Sequence, residues 1–248
     1  MDNPLHPFEL HPFGSLSLFG FDISLNKAVI MMWVVVALIA GLLIVAGTSR
    51  RLIPTKLQSL AELFVDFIRG MILDTIGKDG MRFFPFLATL FLFILFCNLL
   101  GLIPGSYTVT SQIVVTAAFA LFVYSMSIVV GLALHGVRFL GILIPPGTPR
   151  WLLPLMMPIE LISQLARPLS LAVRLFANMT AGHTVLAVLF GMALSLPLLI
   201  GWLPFAFTIA INGLEVIIAF IQAYIFTILT CVYLGDAMHL HGHDEHEH

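Results

Sequence analysis

Between positions 151 and 235 the sequence carries only four charged residues, Glu160, Arg167, Arg174 and Glu215, set in otherwise apolar surroundings. A charge at the middle of a bilayer costs about 2.5–3.5 kcal/mol on insertion scales, so such a residue normally does work there, with a partner or water beside it. Arg174 lies deepest, in Leu169-Ser170-Leu171-Ala172-Val173-Arg174-Leu175-Phe176-Ala177-Asn178. At about 100° per helical residue, Arg167, Ser170, Ala177, Asn178 and Ala181 fall within about 60° of it. That face is small and polar, which allows another helix to approach closely. A guanidinium does not release its proton in a protein, so a proton cannot hop through Arg174. It can attract a carboxylate and favour its ionised form, acting as a plug against leak and as an electrostatic trap. Glu160 and Arg167 lie nearer the start of the run, where interfacial anchoring or a partner contact is as open as a role in transport.

The later half of the region supplies the complementary groups. Glu215 and Gln222 are seven residues apart and share one helical face. If the region folds as an antiparallel hairpin, residues equidistant from its turn lie at one depth. His183 and Glu215 are centred on position 199, and Arg174 and Gln222 on 198, both inside the turn suggested by Pro197 and Gly201. Arg174 then faces Gln222 at one level, while His183 and Glu215 share another, about 10–14 Å nearer the outside. A histidine and a carboxylate at one depth suit a proton relay. His183 is nine residues beyond Arg174, about 180° round the helix, so a direct His183–Glu215 bond does not follow. A water-filled cleft behind the helix could carry the relay; a satisfied interhelical histidine is the other reading.

Lipid must position these groups. Of the 248 residues 60% are hydrophobic and 10% charged, with a mean hydropathy of +1.06, against about 25% charged residues in soluble chains. Spans need about 20 apolar residues each. The expected fold class is all-α: a polytopic transmembrane helical protein of about five spans, one amphipathic surface helix and a long tilted C-terminal helical hairpin. We place the spans at 28–47, 83–103, 112–135, 151–195 and 204–235 of a single membrane domain. The 83–137 stretch holds no charge and breaks at Ile103-Pro104-Gly105-Ser106-Tyr107. The last two runs exceed the roughly 30 Å hydrocarbon core, hence the tilt. Pro154 and Pro158 are expected to delay the first of them and Pro168 to kink it. Residues 56–78 differ: Leu57, Leu60, Phe64, Phe67, Ile68, Met71 and Ile72 recur at helical spacing among Glu62, Asp66, Arg69 and Asp74. An amphipathic helix at the membrane surface, or one packed on a partner, fits that pattern.

Lys and Arg concentrate in 48–82 (Arg50, Arg51, Lys56, Arg69, Lys78, Arg82) and in 136–150 (Arg138, Arg150), and are missing near 104–111 and 196–203. The positive-inside rule then puts the N-terminal segment 1–27 outside and the C-terminus in the cytoplasm. Segment 1–27 lacks a basic n-region and carries Asp2, Glu9 and Asp22, so it does not read as a secretory signal. The tail 236–248 is His-rich; metal binding and a solvated, disordered tail are both open. Cys97 and Cys231 are scattered in apolar runs and form no CxxC motif.

The segment from Ser170 through Arg174 and Asn178 to Met179-Thr180-Ala181-Gly182-His183 closely resembles the signature of subunit a of F-type ATP synthases. So does Glu215 followed by Gln222-Ala223-Tyr224-Ile225-Phe226-Thr227-Ile228-Leu229-Thr230. Asp2-Asn3-Pro4-Leu5-His6-Pro7-Phe8-Glu9 and Asn98-Leu99-Leu100-Gly101-Leu102-Ile103-Pro104 are similar to the same family, and the wording looks alphaproteobacterial or mitochondrial-like. The resemblance implies a proton-conducting stator subunit of the membrane sector. Its partners would be a c-subunit ring, b/b′-type peripheral stalk subunits, the remainder of the synthase, the lipid bilayer and protons. It implies that Arg174 faces the ring carboxylates with Asn178 and Gln222 as polar neighbours. His183 and Glu215 would line an outer half-channel, and Glu160 would belong to an inner one. A bacterial inner membrane is the implied location, the mitochondrial inner membrane the alternative. The subunit would do no chemistry alone.

Other classes fit less well. The chain has neither GxxxxGK[ST] nor GxGxxG, so no nucleotide or other cofactor is expected, and no metal at these residues. Neither HExxH nor GxSxG is present for an intramembrane enzyme. A secondary transporter would show internal repeats around a midplane site, and none is visible. With a net charge of −2, no basic field suggests nucleic acid.

Overall fold

The computed structural model describes residues 17–18, 21–22, 26–48, 56–103, 108–136, 139, 141 and 150–238. The motif at 2–9, the prolines at 145–149 and the tail residues 239–248 lie outside them. Among these residues a two-residue antiparallel pairing of Ser17–Leu18 (β1) with Phe21–Asp22 (β2) precedes six α-helices. These are α1 (Lys27–Thr48), α2 (Lys56–Thr75), α3 (Phe84–Gly101), α4 (Ile113–His135), α5 (Leu153–Ser195) and α6 (Leu198–Met238). Five of them, all but α2, are long and apolar enough to cross a membrane. Such a chain is all-α because lipid offers no partner to an unpaired backbone amide, and a helix pairs its own.

Three boundaries have local causes. Pro154 occupies the first turn of α5, where its missing N–H costs nothing, so the helix starts at Leu153 and takes Pro158 and Pro168 inside it. Pro158 therefore does not delay the helix as expected. The α5–α6 turn is tighter than the prolines suggest: Leu196 is extended, Ile200 and Gly201 donate to the Pro197 carbonyl, and Pro204 lies inside α6. At its other end α6 runs to Met238, so Asp236 belongs to the helix rather than to the tail. There His135 Nε2 donates to the Met238 carbonyl at 3.1 Å and ties the ends of α4 and α6 together.

The packed centre is built mainly by α3 and α6, with Phe91, Leu87, Ile94, Phe226 and Leu234 almost fully buried. The surface helix α2 turns Ala61, Ile68, Met71 and Ile72 inward and leaves Glu62, Asp66, Arg69 and Asp74 exposed. Phe67 docks it, with ring centroids 5.6 Å from Phe91 of α3, 5.7 Å from Phe220 and 5.9 Å from Tyr224 of α6. Further along, Ile76 lies beside Gly235. A helix confined to the interface by five charges, Lys56 among them, thus runs beside the second half of α6, which must itself lean far from the bilayer normal. The length of α5, 43 residues or roughly 65 Å, demands the same of its partner in the hairpin. Burial differs sharply within the hairpin: the most apolar window of α6 is 44% buried, that of α5 only 11%.

Candidate functional site

Arg174 lies midway between Leu153 and Ser195, the ends of α5. The inward face of the helix carries Pro168, Leu171, Ala172, Leu175 and Met179. On the other face Arg167, Ser170, Arg174, Ala177, Asn178 and Ala181 are all exposed. Arg167 has an acid in reach, Asp236 Oδ2 on α6, 3.9 Å from its Nη1. Arg174, two turns further into the spanning region, has neither an ion pair nor a hydrogen bond among the described residues. Gln222, expected at its level, is 5% exposed on α6. Thus α5 holds an uncompensated guanidinium on a small, open face at the midpoint of a spanning helix.

The acid is handled differently. Glu215 is 6% exposed, and neither carboxylate oxygen has a hydrogen-bond partner among the described residues. Its carboxylate occupies the space that a Cβ on Gly182 would fill, so only glycine at 182 lets it sit there. This contact brings Glu215 to the level of His183, the next residue on α5, without a direct hydrogen bond between them. His183 is half-buried, and its Nε2 lies 2.8 Å from Thr108 Oγ1. A buried carboxyl group without a protein donor is costly to the fold, so its retention fits a group that exchanges protons.

Thr108 opens a group of buried hydroxyls just beyond the break expected at 103–107. It precedes a 3-10 turn, Val109–Ser111, packed between α3, α4 and α5. Thr110 donates to Asn98 Oδ1 at 2.9 Å, and Ser111 Oγ donates to the Thr108 carbonyl at 2.7 Å. Thr108, Thr110, Ser111 and Asn98 are all buried, and Asn98 Nδ2 has no partner among the described residues. The available signal was the clustering of Thr108, Thr110 and Ser111 directly after an apolar span. Glu160 stands apart from both groups and accepts from Gln164 Nε2 at 3.0 Å, one turn along α5. Among the described residues no three His, Cys, Asp or Glu gather as a metal site would require.

These features define a multi-pass, all-α membrane protein with ionisable groups built into a spanning hairpin. A family model described as ATP synthase A chain matches residues 29–235. The chain is 50% identical over 245 residues to ATP synthase subunit a of Magnetococcus marinus, covering 96% of this chain and 94% of that one. It is 46% identical over 242 residues to the same subunit of Pelagibacter ubique, covering 96% and 98%. With that of Rhodospirillum rubrum it shares 44% over 241 residues, covering 97% and 100%. The chain belongs to the ATP synthase A chain family.

Proposed function

We propose that this chain is the proton-conducting stator subunit of an ATP synthase membrane sector, working beside a ring of c subunits. The exposed, uncompensated Arg174 on its small face carries the reading. Left against lipid, that charge would cost several kcal/mol; set against a moving carboxylate, it is compensated each time one passes. The small residues around it let a helix of the ring come close.

Two offset half-channels follow. A proton enters from outside through His183 and Glu215 and neutralises a ring carboxylate. The neutral carboxyl group can enter lipid, so the ring turns. On meeting Arg174 it ionises again and releases its proton inward, past Glu160. Gln222 and Asn178 flank the arginine as polar neighbours. Because the guanidinium keeps its proton, the half-channels are not short-circuited. One charge crossing 100 mV is worth about 2.3 kcal/mol, so several combine for each ATP. The other partners are peripheral stalk subunits of the b/b′ type and the remainder of the synthase. The Lys and Arg distribution supports an N-terminus outside and a C-terminus inside; the proposed location is a bacterial inner membrane, with a mitochondrial inner membrane as the alternative.

The test is Arg174→Ala in the whole complex. ATP synthesis in inverted vesicles should fall by more than about 100-fold, or roughly 2.7 kcal/mol, while the complex still co-purifies with its proteolipid ring. Normal synthesis rates would refute the role.

A further inference from the structure

We infer that Thr108, in the connection between α3 and α4, is a positioning residue for His183, holding the imidazole in one orientation through both states of its proton cycle. The inference rests on the reading of His183 as part of the outer proton path and deepens it.

The geometry around one hydroxyl carries it. Thr108 Oγ1 lies 2.8 Å from His183 Nε2 and 3.4 Å from the Gly101 carbonyl oxygen. A hydroxyl can donate one hydrogen and also accept. When Nε2 bears a hydrogen it donates to Oγ1, and the hydroxyl hydrogen turns to the Gly101 carbonyl. When Nε2 is bare the hydroxyl turns round and donates to it. The ring therefore keeps a partner whichever way the proton has moved. A carbonyl, which only accepts, would release the ring in one of the two states.

The surroundings hold that hydroxyl in place. Thr108 is 4% exposed. Its carbonyl accepts from both Ser111 Oγ at 2.7 Å and Ser111 N at 3.2 Å. Two residues on, Thr110 is fastened to Asn98 of α3. Gly101 makes room for the approach: a Cβ there would come within 2.7 Å of Thr108 Cγ2. The turn is thus braced on α3 and reaches across to α5, where Thr108 bonds the histidine. A loop needed only to connect two spans would have no call for a buried, doubly engaged hydroxyl at this point, since burying polar groups costs free energy unless each is paired.

Proton conductance through the whole complex in liposomes, driven by a potassium diffusion potential and normalised to assembled complex, tests this. Thr108→Val keeps the shape and removes the hydroxyl; conductance should fall about tenfold, the scale of one lost hydrogen bond. Thr108→Ser keeps the hydroxyl and removes the methyl; conductance should stay within about twofold of the parent. A role in packing alone predicts the reverse order. Normal conductance in Thr108→Val, or equal loss in Thr108→Ser, overturns the inference. Should Thr108→Val assemble poorly, Thr108→Ala takes its place under the same criteria. His183→Ala is measured alongside. Normal conductance there removes His183 from the path and the inference with it. Slowed conductance there, with Thr108→Val normal, overturns the Thr108 inference alone.

Discussion

On one face of α5, Arg174 stands among small exposed residues with no ion-pairing acid among the described residues. On the other, Gly182 receives the Glu215 carboxylate and His183 meets Thr108. The same helix thus carries a site closed by its own chain and a site left open. The closed one draws on α6 and on the connection between α3 and α4, so its geometry is set before any partner arrives. The open one has a charge with no counter-charge among the described residues, which is the place the proposed partner would fill. Under the proposed reading, the first would serve as a fixed entry path and the second as the face that a moving partner meets.

Breaking the open side should have the largest effect, the loss expected for Arg174→Ala. Arg174→Lys sharpens the point. Lysine keeps a charge but not the planar, permanently protonated fork, so ATP synthesis in inverted vesicles should stay closer to the alanine variant than to the parent. Full activity in the lysine variant would mean that any cation serves, and that guanidinium chemistry is not what the face provides.

Breaking the closed side should slow entry without dissolving the complex. Glu215→Gln removes the proton acceptor while keeping the shape; proton conductance should fall by roughly 100-fold, the lower end of the scale set by general acid–base groups. Gly182→Ala leaves the carboxylate in the chain but puts a Cβ where it sits. Conductance should fall by about tenfold or more, within the roughly 100-fold that displacing a group by around an ångström can cost. Co-purification of the complex should be unaffected in both. If Gly182→Ala conducts normally, the Glu215 position seen against glycine is not the working one.

The two sides were unequally legible in the sequence. Lipid makes spans visible as long uncharged runs, so five spans, a surface helix and a long hairpin could be read directly. The face around Arg174 needed only helical periodicity, and its members are exposed together. Thr108 could not be found that way. Its bond joins residues 75 positions apart, and hydroxyls in a turn usually serve the turn itself. Gly182 left a trace: glycine in a helix interior costs about 1 kcal/mol, which hints at a close approach. Asp236 was misread because the apolar run stops at 235, whereas the helix is carried on to Met238 by packing.

Arg167 offers the smallest effect and the strictest control. It lies on the same face as Arg174, seven residues away, and is likewise exposed, but with Asp236 at 3.9 Å. Both side chains are well exposed, 42% for Arg167 and 38% for Asp236, and such pairs are worth about 0–1 kcal/mol. A double-mutant cycle with Arg167→Gln and Asp236→Asn, read as thermal stability of the purified complex, should give a coupling below about 1 kcal/mol. ATP synthesis in either variant should stay within about fivefold of the parent, that energy expressed as a rate. The contrast between the two arginines turns on the missing counter-charge, since helix, face and exposure are shared. If Arg167→Gln proves as damaging as Arg174→Ala, the absence of an acid beside Arg174 is not what sets it apart, and the open face would have to be understood as a general basic surface rather than a single electrostatic trap.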